Sequence, residues 1–236
     1  PLGIPTLKDR LVQMALKLVL EPIFESDFYP TSYGFRRGRN THDAIALIQA
    51  QLNPWAHGDS RVAFVIEGDI KGCFDNIDHH LLMRSVRRRI GDRKILNLIR
   101  AFIKAGIMAE GGVRHPVAGT PQGGIISPLL ANIFLTSLDE RYRRWTPAPR
   151  TRAGRASSAR SRDYHAGKPT FYIVRYADDF VVLTRGSRDE AEAERRALAR
   201  FLNEELRLEL SEEKTLVTDA EDGFSFLGYR LRKNRI

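Results

Sequence analysis

Two acids stand between two apolar runs. Phe171-Tyr172-Ile173-Val174-Arg175-Tyr176 and Phe180-Val181-Val182-Leu183-Thr184 both have the aromatic and β-branched content of strands, and only Ala177, Asp178 and Asp179 separate them. So short a connection permits nothing but a tight turn, and the segment reads as a hairpin with carboxylates at its tip. Taken alone, Asp178-Asp179 is equally an ordinary turn dipeptide, because aspartate is favoured in turns. A second strand shifts the balance. From Val62 to Asp69, Val62, Phe64 and Ile66 alternate with Ala63, Val65 and Glu67, and Asp69 closes the run. Acids at the ends of buried strands are costly without a compensating charge. A pair of divalent cations supplies one: two metals roughly 3.5–4 Å apart activate an attacking hydroxyl and stabilise the leaving oxygen in phosphoryl transfer. Magnesium suits carboxylate oxygens combined with substrate phosphates.

The rest of the composition agrees with a polyanionic substrate. The 236 residues carry 38 lysines and arginines against 29 acids, a formal charge of +9. That surplus points to nucleic acid first and an acidic membrane surface second, with a plain solvated basic protein as the alternative. A hydrophobic fraction of 42% excludes a disordered chain. The single cysteine, Cys73, allows neither an internal disulfide nor a zinc site, so an intracellular, cytoplasmic protein is expected. No apolar run is long enough to span a bilayer, and no secretory signal opens the chain. Pro1-Leu2-Gly3-Ile4-Pro5 reads as the interior of a longer sequence.

Periodicity and caps predict the remaining elements. A helix is expected over 7–21, ending before Pro22. A second runs from Asn40 or Thr41 to Leu52 with Ile45, Ile48 and Leu52 on one face. Asp78 caps a helix with the stripe Leu82, Val86 and Ile90, and Asp92 caps another with Ile95, Ile99 and Phe102. A β-hairpin is predicted from Ile107 to Ala118, turning at Gly111-Gly112. Ser127-Pro128 opens a helix, and Ser187 with Glu190 forms a capping box for another that reaches Leu206. Short strands are predicted at Lys214–Thr218 and Phe224–Leu231. Residues 141–168 hold nine basic side chains and one acid, Asp163, and read as a flexible basic insertion.

Four segments in order carry a family resemblance. They are Tyr33-Gly34-Phe35-Arg36-Arg37-Gly38-Arg39-Asn40-Thr41-His42-Asp43-Ala44, Asp69-Ile70-Lys71-Gly72-Cys73-Phe74-Asp75-Asn76-Ile77, Thr120-Pro121-Gln122-Gly123-Gly124-Ile125-Ile126-Ser127-Pro128-Leu129-Leu130-Ala131-Asn132-Ile133, and Arg175-Tyr176-Ala177-Asp178-Asp179-Phe180. Weaker matches lie at Leu210–Thr215 and Gly223–Tyr229. Together they resemble the group II intron-encoded reverse transcriptases and maturases.

The resemblance implies roles. Asp69, Asp178 and Asp179 would be the catalytic carboxylates and metal ligands, with the backbone carbonyl of Ile70 as a fourth ligand. Phe74 would be a steric gate whose ring leaves no room for a ribose 2′-hydroxyl; by itself it reads as a core aromatic. Gln122, between a proline and two glycines, would lie against the incoming nucleotide. Lys8 and Arg10 are candidates for its triphosphate. Arg36 and Arg39 are candidates for template or nucleotide contact, or are simply solvent-facing. Phe226, Leu227, Gly228 and Tyr229 resemble a primer-grip turn, with plain hairpin packing as the alternative. Lys214 is a candidate near the leaving group or an exposed lysine. Cys73, His79 and His80 read as structural, and Trp55 and Trp145 as packing.

The fold implied is α+β, the fingers and palm of a right-hand polymerase. Fingers are expected at 1–60 and 80–118 and palm at 61–79 and 119–236, with an antiparallel palm sheet and helices packed on one face. The thumb of such polymerases is absent from these residues, so the enzyme is expected to be incomplete without it. The function implied is RNA-directed DNA polymerase using two Mg²⁺ ions, with Mn²⁺ as a substitute. The implied partners are an RNA template, a DNA or RNA primer, dNTPs and intron RNA, in a bacterial host. The alternatives are an RNA-binding maturase that aids splicing, or a related enzyme of a CRISPR or other defence system.

Overall fold

The computed structural model describes residues 5–52, 62–104, 107–109, 112–114, 119, 123–151 and 154–233. In chain order the elements are α1 (Leu7–Glu25), α2 (Thr41–Leu52), β1 (Phe64–Gly68), α3 (Cys73–Asn76), α4 (His79–Arg87), α5 (Arg93–Lys104), β2 (Ile107–Ala109) and β3 (Gly112–Arg114). They continue with α6 (Ser127–Arg141), α7 (Arg155–His165), β4 (Phe171–Tyr176), β5 (Asp179–Thr184), α8 (Arg188–Leu206), β6 (Val217–Asp219), β7 (Phe224–Phe226) and β8 (Tyr229–Leu231). No helix among the described residues is long and apolar enough to cross a membrane. The class is α+β with antiparallel pairing in every sheet, as expected.

The chain forms two compact units: Pro1–Phe28 with Gly72–Thr136 and Glu205–Leu208, and Tyr29–Lys71 with Ser137–Glu204 and Glu209–Ile236. They divide the sequence at 28/29 and 71/72, whereas the sequence reading places its boundaries at 60/61 and 79/80.

The first unit is helical. Thr6 caps α1 by accepting from the Asp9 amide at 3.2 Å. The expected stop before Pro22 is corrected: α1 continues through Pro22 to Glu25. Near a C-terminus, proline removes one backbone donor while few further helical bonds depend on it. Burial of Leu20 and Phe24 on either side offsets that loss. Asp78 and Asp92 cap α4 and α5 as read, accepting from the Leu81 amide at 2.9 Å and the Lys94 amide at 2.7 Å. The buried stripe of α5 is Leu96, Ile99 and Ile103, so the expected stripe of Ile95, Ile99 and Phe102 is right at its centre and off by one position at each end. β2 and β3 form the expected hairpin, pairing Ile107 with Arg114.

The second unit is built on a four-stranded sheet in the order β4-β5-β1-β6. One layer of its core joins Ala44, Ile45, Ile48 and Leu52 of α2 to Val65, Val174, Val181 and Leu183 of the sheet, with Phe224, Phe226 and Leu231 closing it. Ile66, Ile173 and Val182, at the alternate strand positions, are equally buried. Both faces of β1 and β5 are therefore covered, which is why their sequences are nearly continuous in apolar residues. Two expectations change here. Phe224–Leu231 is a hairpin, because Leu227 and Gly228 both take positive φ (51° and 81°), the signature of a two-residue hairpin turn. And residues 155–165 form α7: buried Ala156 and Ala159 give it an inner face, and Asp163 binds Arg144 and Trp145.

Candidate active site

Tyr176 pairs with Asp179 across the β4–β5 ladder, so Ala177 and Asp178 alone make the turn. Ala177 is buried at φ = 58°, a region that costs an alanine about 1–2 kcal/mol. β1 runs antiparallel to β5, with Ile66 opposite Val182 and Gly68 opposite Phe180. Continuing that register by one residue brings Asp69 level with Asp179. Asp69 is held there from its other side, where its carbonyl accepts from the Ser211 amide at 2.8 Å. Ile70 is buried and bridges Leu210, which fixes the carbonyl expected to serve as a fourth ligand within the same strand end.

Two close approaches set the hairpin tip. A Cβ on Gly34 would lie 2.3 Å from the Ala177 nitrogen, and one on Gly68 would lie 2.1 Å from Cζ of Phe180. Glycine at both positions lets backbone and ring come nearer than any side chain allows. A third constraint comes from a pair absent from the sequence-based site. Arg175 and Asp139 are wholly buried. The Arg175 guanidinium donates from Nε to Asp139 Oδ1 at 3.0 Å and from Nη2 to Oδ2 at 2.7 Å, and Nη1 donates to the Ala177 carbonyl at 2.8 Å. Asp139, near the end of α6, thus anchors an arginine that grips the turn itself. The Arg175 backbone also donates to Thr31 and accepts from Tyr33, both at 2.9 Å, which brings Gly34 alongside the turn.

The electrostatics are those of crowded carboxylates. Burial raises the Asp178 carboxyl above its ordinary value, and the charge of Asp69 adds to that shift. Asp179 is exposed as a whole residue, yet its carboxyl is raised first by loss of hydration and then by Asp178 and Asp69. Opposing this, Lys214 places its Nζ 3.3 Å from Asp69 Oδ2. Such a group stabilises an added cation. Among the described residues no group of three carboxylate, histidine or cysteine side chains is placed to hold a metal ion. Carboxylate and carbonyl oxygens are nonetheless the ligands that hard divalent cations take, completed by water and substrate phosphates. The donor set fits divalent cations of that kind.

Family comparison agrees with this geometry. The profile described as reverse transcriptase (RNA-dependent DNA polymerase) matches residues 1–231. The chain belongs to the reverse transcriptase family. It is 43% identical over 246 residues to Protein YkfC of Escherichia coli K12, a match spanning the whole chain and 64% of that protein. It is 37% identical over 274 residues to the group II intron-encoded protein LtrA of Lactococcus lactis, again along its whole length but over 45% of LtrA. The chain thus spans less than two thirds of either relative. Among solved structures it resembles the apo telomerase of Candida tropicalis, with a TM-score of 0.64 at 16% identity over 94% of this chain and 43% of the telomerase. That likeness shows the fold.

The other residues expected of a reverse transcriptase fall into distinct groups. Phe74 is half-buried on α3, and Lys8 and Arg10 are exposed on α1; all three belong to the first unit. Gln122 and Trp55 lie outside the described residues. The segment after Gln122 is tied down by Gln13, a buried side chain of α1 whose Oε1 accepts from the Ile125 amide at 2.8 Å. Arg36, expected at template or nucleotide or else facing solvent, does not face solvent. Its guanidinium is buried and donates to the carbonyls of Tyr29, at 2.7 Å, and Ser32, so it staples its own loop. Arg39 is similarly engaged, donating to Pro30 O at 2.6 Å and stacking on Tyr33. Phe226 packs in the core, Leu227 and Gly228 form the β7–β8 turn, and Tyr229 opens β8 with its hydroxyl 3.0 Å from His42 Nε2. Glu67 of β1, missed by sequence reading, accepts from Thr218 Oγ1 of β6 at 2.6 Å and from the Ser225 amide of β7 at 3.3 Å, the second contact joining that hairpin to β1. Trp145 is a packing residue as read: it stands edge-on to Phe171 and its Nε1 donates to Asp163 at 2.8 Å.

Proposed function

We propose that this chain carries the nucleotidyl-transfer centre of an RNA-directed DNA polymerase. The observation that carries the reading is the register bringing Asp69 of one strand level with Asp178-Asp179 at the tip of another. In the reaction, the primer 3′-oxygen attacks the α-phosphorus of a deoxynucleotide, a P–O bond forms, and pyrophosphate leaves with the bond it breaks. Reverse transcriptases use divalent ions for this. Two Mg²⁺ ions would supply activation of the 3′-hydroxyl and neutralisation of the triphosphate. Asp69, Asp178, Asp179 and the Ile70 carbonyl would hold them. Phe74 excludes a 2′-hydroxyl from the sugar site, Gln122 contacts the incoming nucleotide, and Lys8 or Arg10 meets its phosphates. Leu227, Gly228 and Tyr229 support the primer. The sheet unit acts as palm, and the helical unit supplies most of the fingers. Charge stabilisation and positioning then account for most of the rate.

Similarity to a group II intron-encoded protein, and over 42% of the chain to a nuclear intron maturase of Arabidopsis thaliana, favours a second role at the level of RNA, aid to splicing of an intron, in a bacterial cytoplasm. Asp178→Ala in the full-length protein is expected to lower metal-dependent primer extension by about 100- to 1,000-fold, the range for loss of a preorganised charge partner. RNA binding should survive. Extension at the wild-type rate would refute the assignment. Splicing help that survives loss of all three aspartates would assign the RNA role to a separate surface.

A further inference from the structure

In the arginine-rich stretch that stands out in the sequence, 141–168, three of the nine basic side chains are engaged by the fold itself. Arg141 pairs with Glu194 at 2.8 Å and Arg144 with Asp163 at 2.6 Å. Arg160 donates to the Trp145 carbonyl at 2.6 Å and lies over the Tyr172 ring. A different stretch keeps its charge available. Residues 84–104 contain eight basic side chains (Arg84, Arg87, Arg88, Arg89, Arg93, Lys94, Arg100, Lys104) and one acid, Asp92. Arg89 pairs with the Asp27 carboxylate, whereas among the described residues Arg87, Arg93 and Arg100 form no ion pair with a carboxylate. Asp92 caps α5, its Oδ1 accepting from the Lys94 and Ile95 amides at 2.7 and 3.0 Å.

This charge surrounds a cleft of about 420 Å³ between α4 and α5, within the helical unit. Arg87, Arg93 and Arg100 line it over a floor of buried Ile90 and Leu96. Asn97 accepts from Arg100 Nη1 at 2.9 Å, which holds that guanidinium to α5. No carboxylate and no aromatic ring lines the cleft among the described residues. Three guanidinium groups over an apolar floor attract an anion more strongly than the same groups in open water. Arginine forks match phosphate oxygens. Without a ring to stack on a base, recognition falls on the backbone and not on sequence.

We propose that the α4–α5 cleft binds the phosphodiester backbone of RNA. The choice of RNA as the source of phosphate rests on the reading of the chain as a reverse transcriptase. The test uses the full-length protein and measures affinity for a structured RNA against salt concentration. Each neutralised phosphate contributes roughly 0.7–0.9 to the slope of log K against log salt. Arg87→Gln/Arg93→Gln/Arg100→Gln is expected to reduce that slope by about 2 to 3. A control removing equal charge from α7 and its flank, Arg155→Gln/Arg162→Gln/Lys168→Gln, should leave it unchanged. Equal losses in both variants would mean diffuse charge, and no loss in the first would mean no site; either overturns the proposal. Equal affinity of the wild-type cleft for duplex DNA of the same length overturns the assignment to RNA. If the triple variant does not fold, Arg93→Gln alone should lower the slope by about one unit, and an unchanged slope again overturns it. Primer extension by the wild type is read separately, so a failed polymerase reading and a failed cleft give different results.

Discussion

Asp139→Ala is expected to lower the unfolding free energy by about 3–5 kcal/mol, because it leaves the Arg175 guanidinium buried without its carboxylate. The same change should abolish primer extension, since the arginine that grips the Ala177 carbonyl loses its anchor. Stability and positioning can be separated. A buried ion pair replaced by apolar groups of similar volume is often neutral for stability. Asp139→Leu/Arg175→Met is therefore expected to unfold in denaturant within about 1 kcal/mol of the wild type. It should nevertheless remain impaired in extension, because methionine offers no donor to the turn. Full recovery of extension in the double variant would show that the pair serves packing alone.

Gly34→Ala is the second large effect. The added Cβ would sit 2.3 Å from the backbone nitrogen of Ala177 and 2.9 Å from its Cα and Cβ. No flexible side-chain end is available to yield, so the turn or the loop at 33–35 must move. Overpacking of this kind costs about 1–3 kcal/mol. The displaced atoms belong to the residue next to Asp178, so the loss of extension should exceed what that destabilisation explains. Thermal unfolding and primer extension on the same preparation check both parts. A folded variant with wild-type extension would show that the hairpin tip tolerates movement.

The parts of the fold written locally were legible. A capping box at Ser187 and Glu190, with amide contacts of 2.7 and 3.3 Å, and the caps at Asp78 and Asp92 depend on residues three apart or fewer, which a reader of sequence can see. The β4–β5 hairpin was legible because two apolar runs leave three residues between them. What failed depends on distance in sequence or on phase. The partner of Arg175 lies 36 positions upstream, and nothing local names it. The signal was an arginine inside the run Phe171–Tyr176, which requires a buried counter-charge. Arg36 was read as a template or nucleotide contact or a solvent-facing side chain, and its carbonyl partners were not visible because they are set by the curl of its own loop. The charge of 141–168 looked solvent-directed because Glu194 is distant in sequence and the role of Asp163 depends on α7 folding back. The three carboxylates drew attention because two separate apolar strands end in acids, and the strand register brings Asp69 level with Asp179.

The central claim is that Asp69, Asp178 and Asp179 act as one cation-binding group. Its most direct test is Mn²⁺ binding by the full-length protein with template, primer and deoxynucleotide, followed by electron paramagnetic resonance. The wild type is expected to bind two ions per active site, and Asp69→Asn and Asp178→Asn each to lose at least one with the fold intact. Unchanged Mn²⁺ stoichiometry and affinity in both variants would contradict the account.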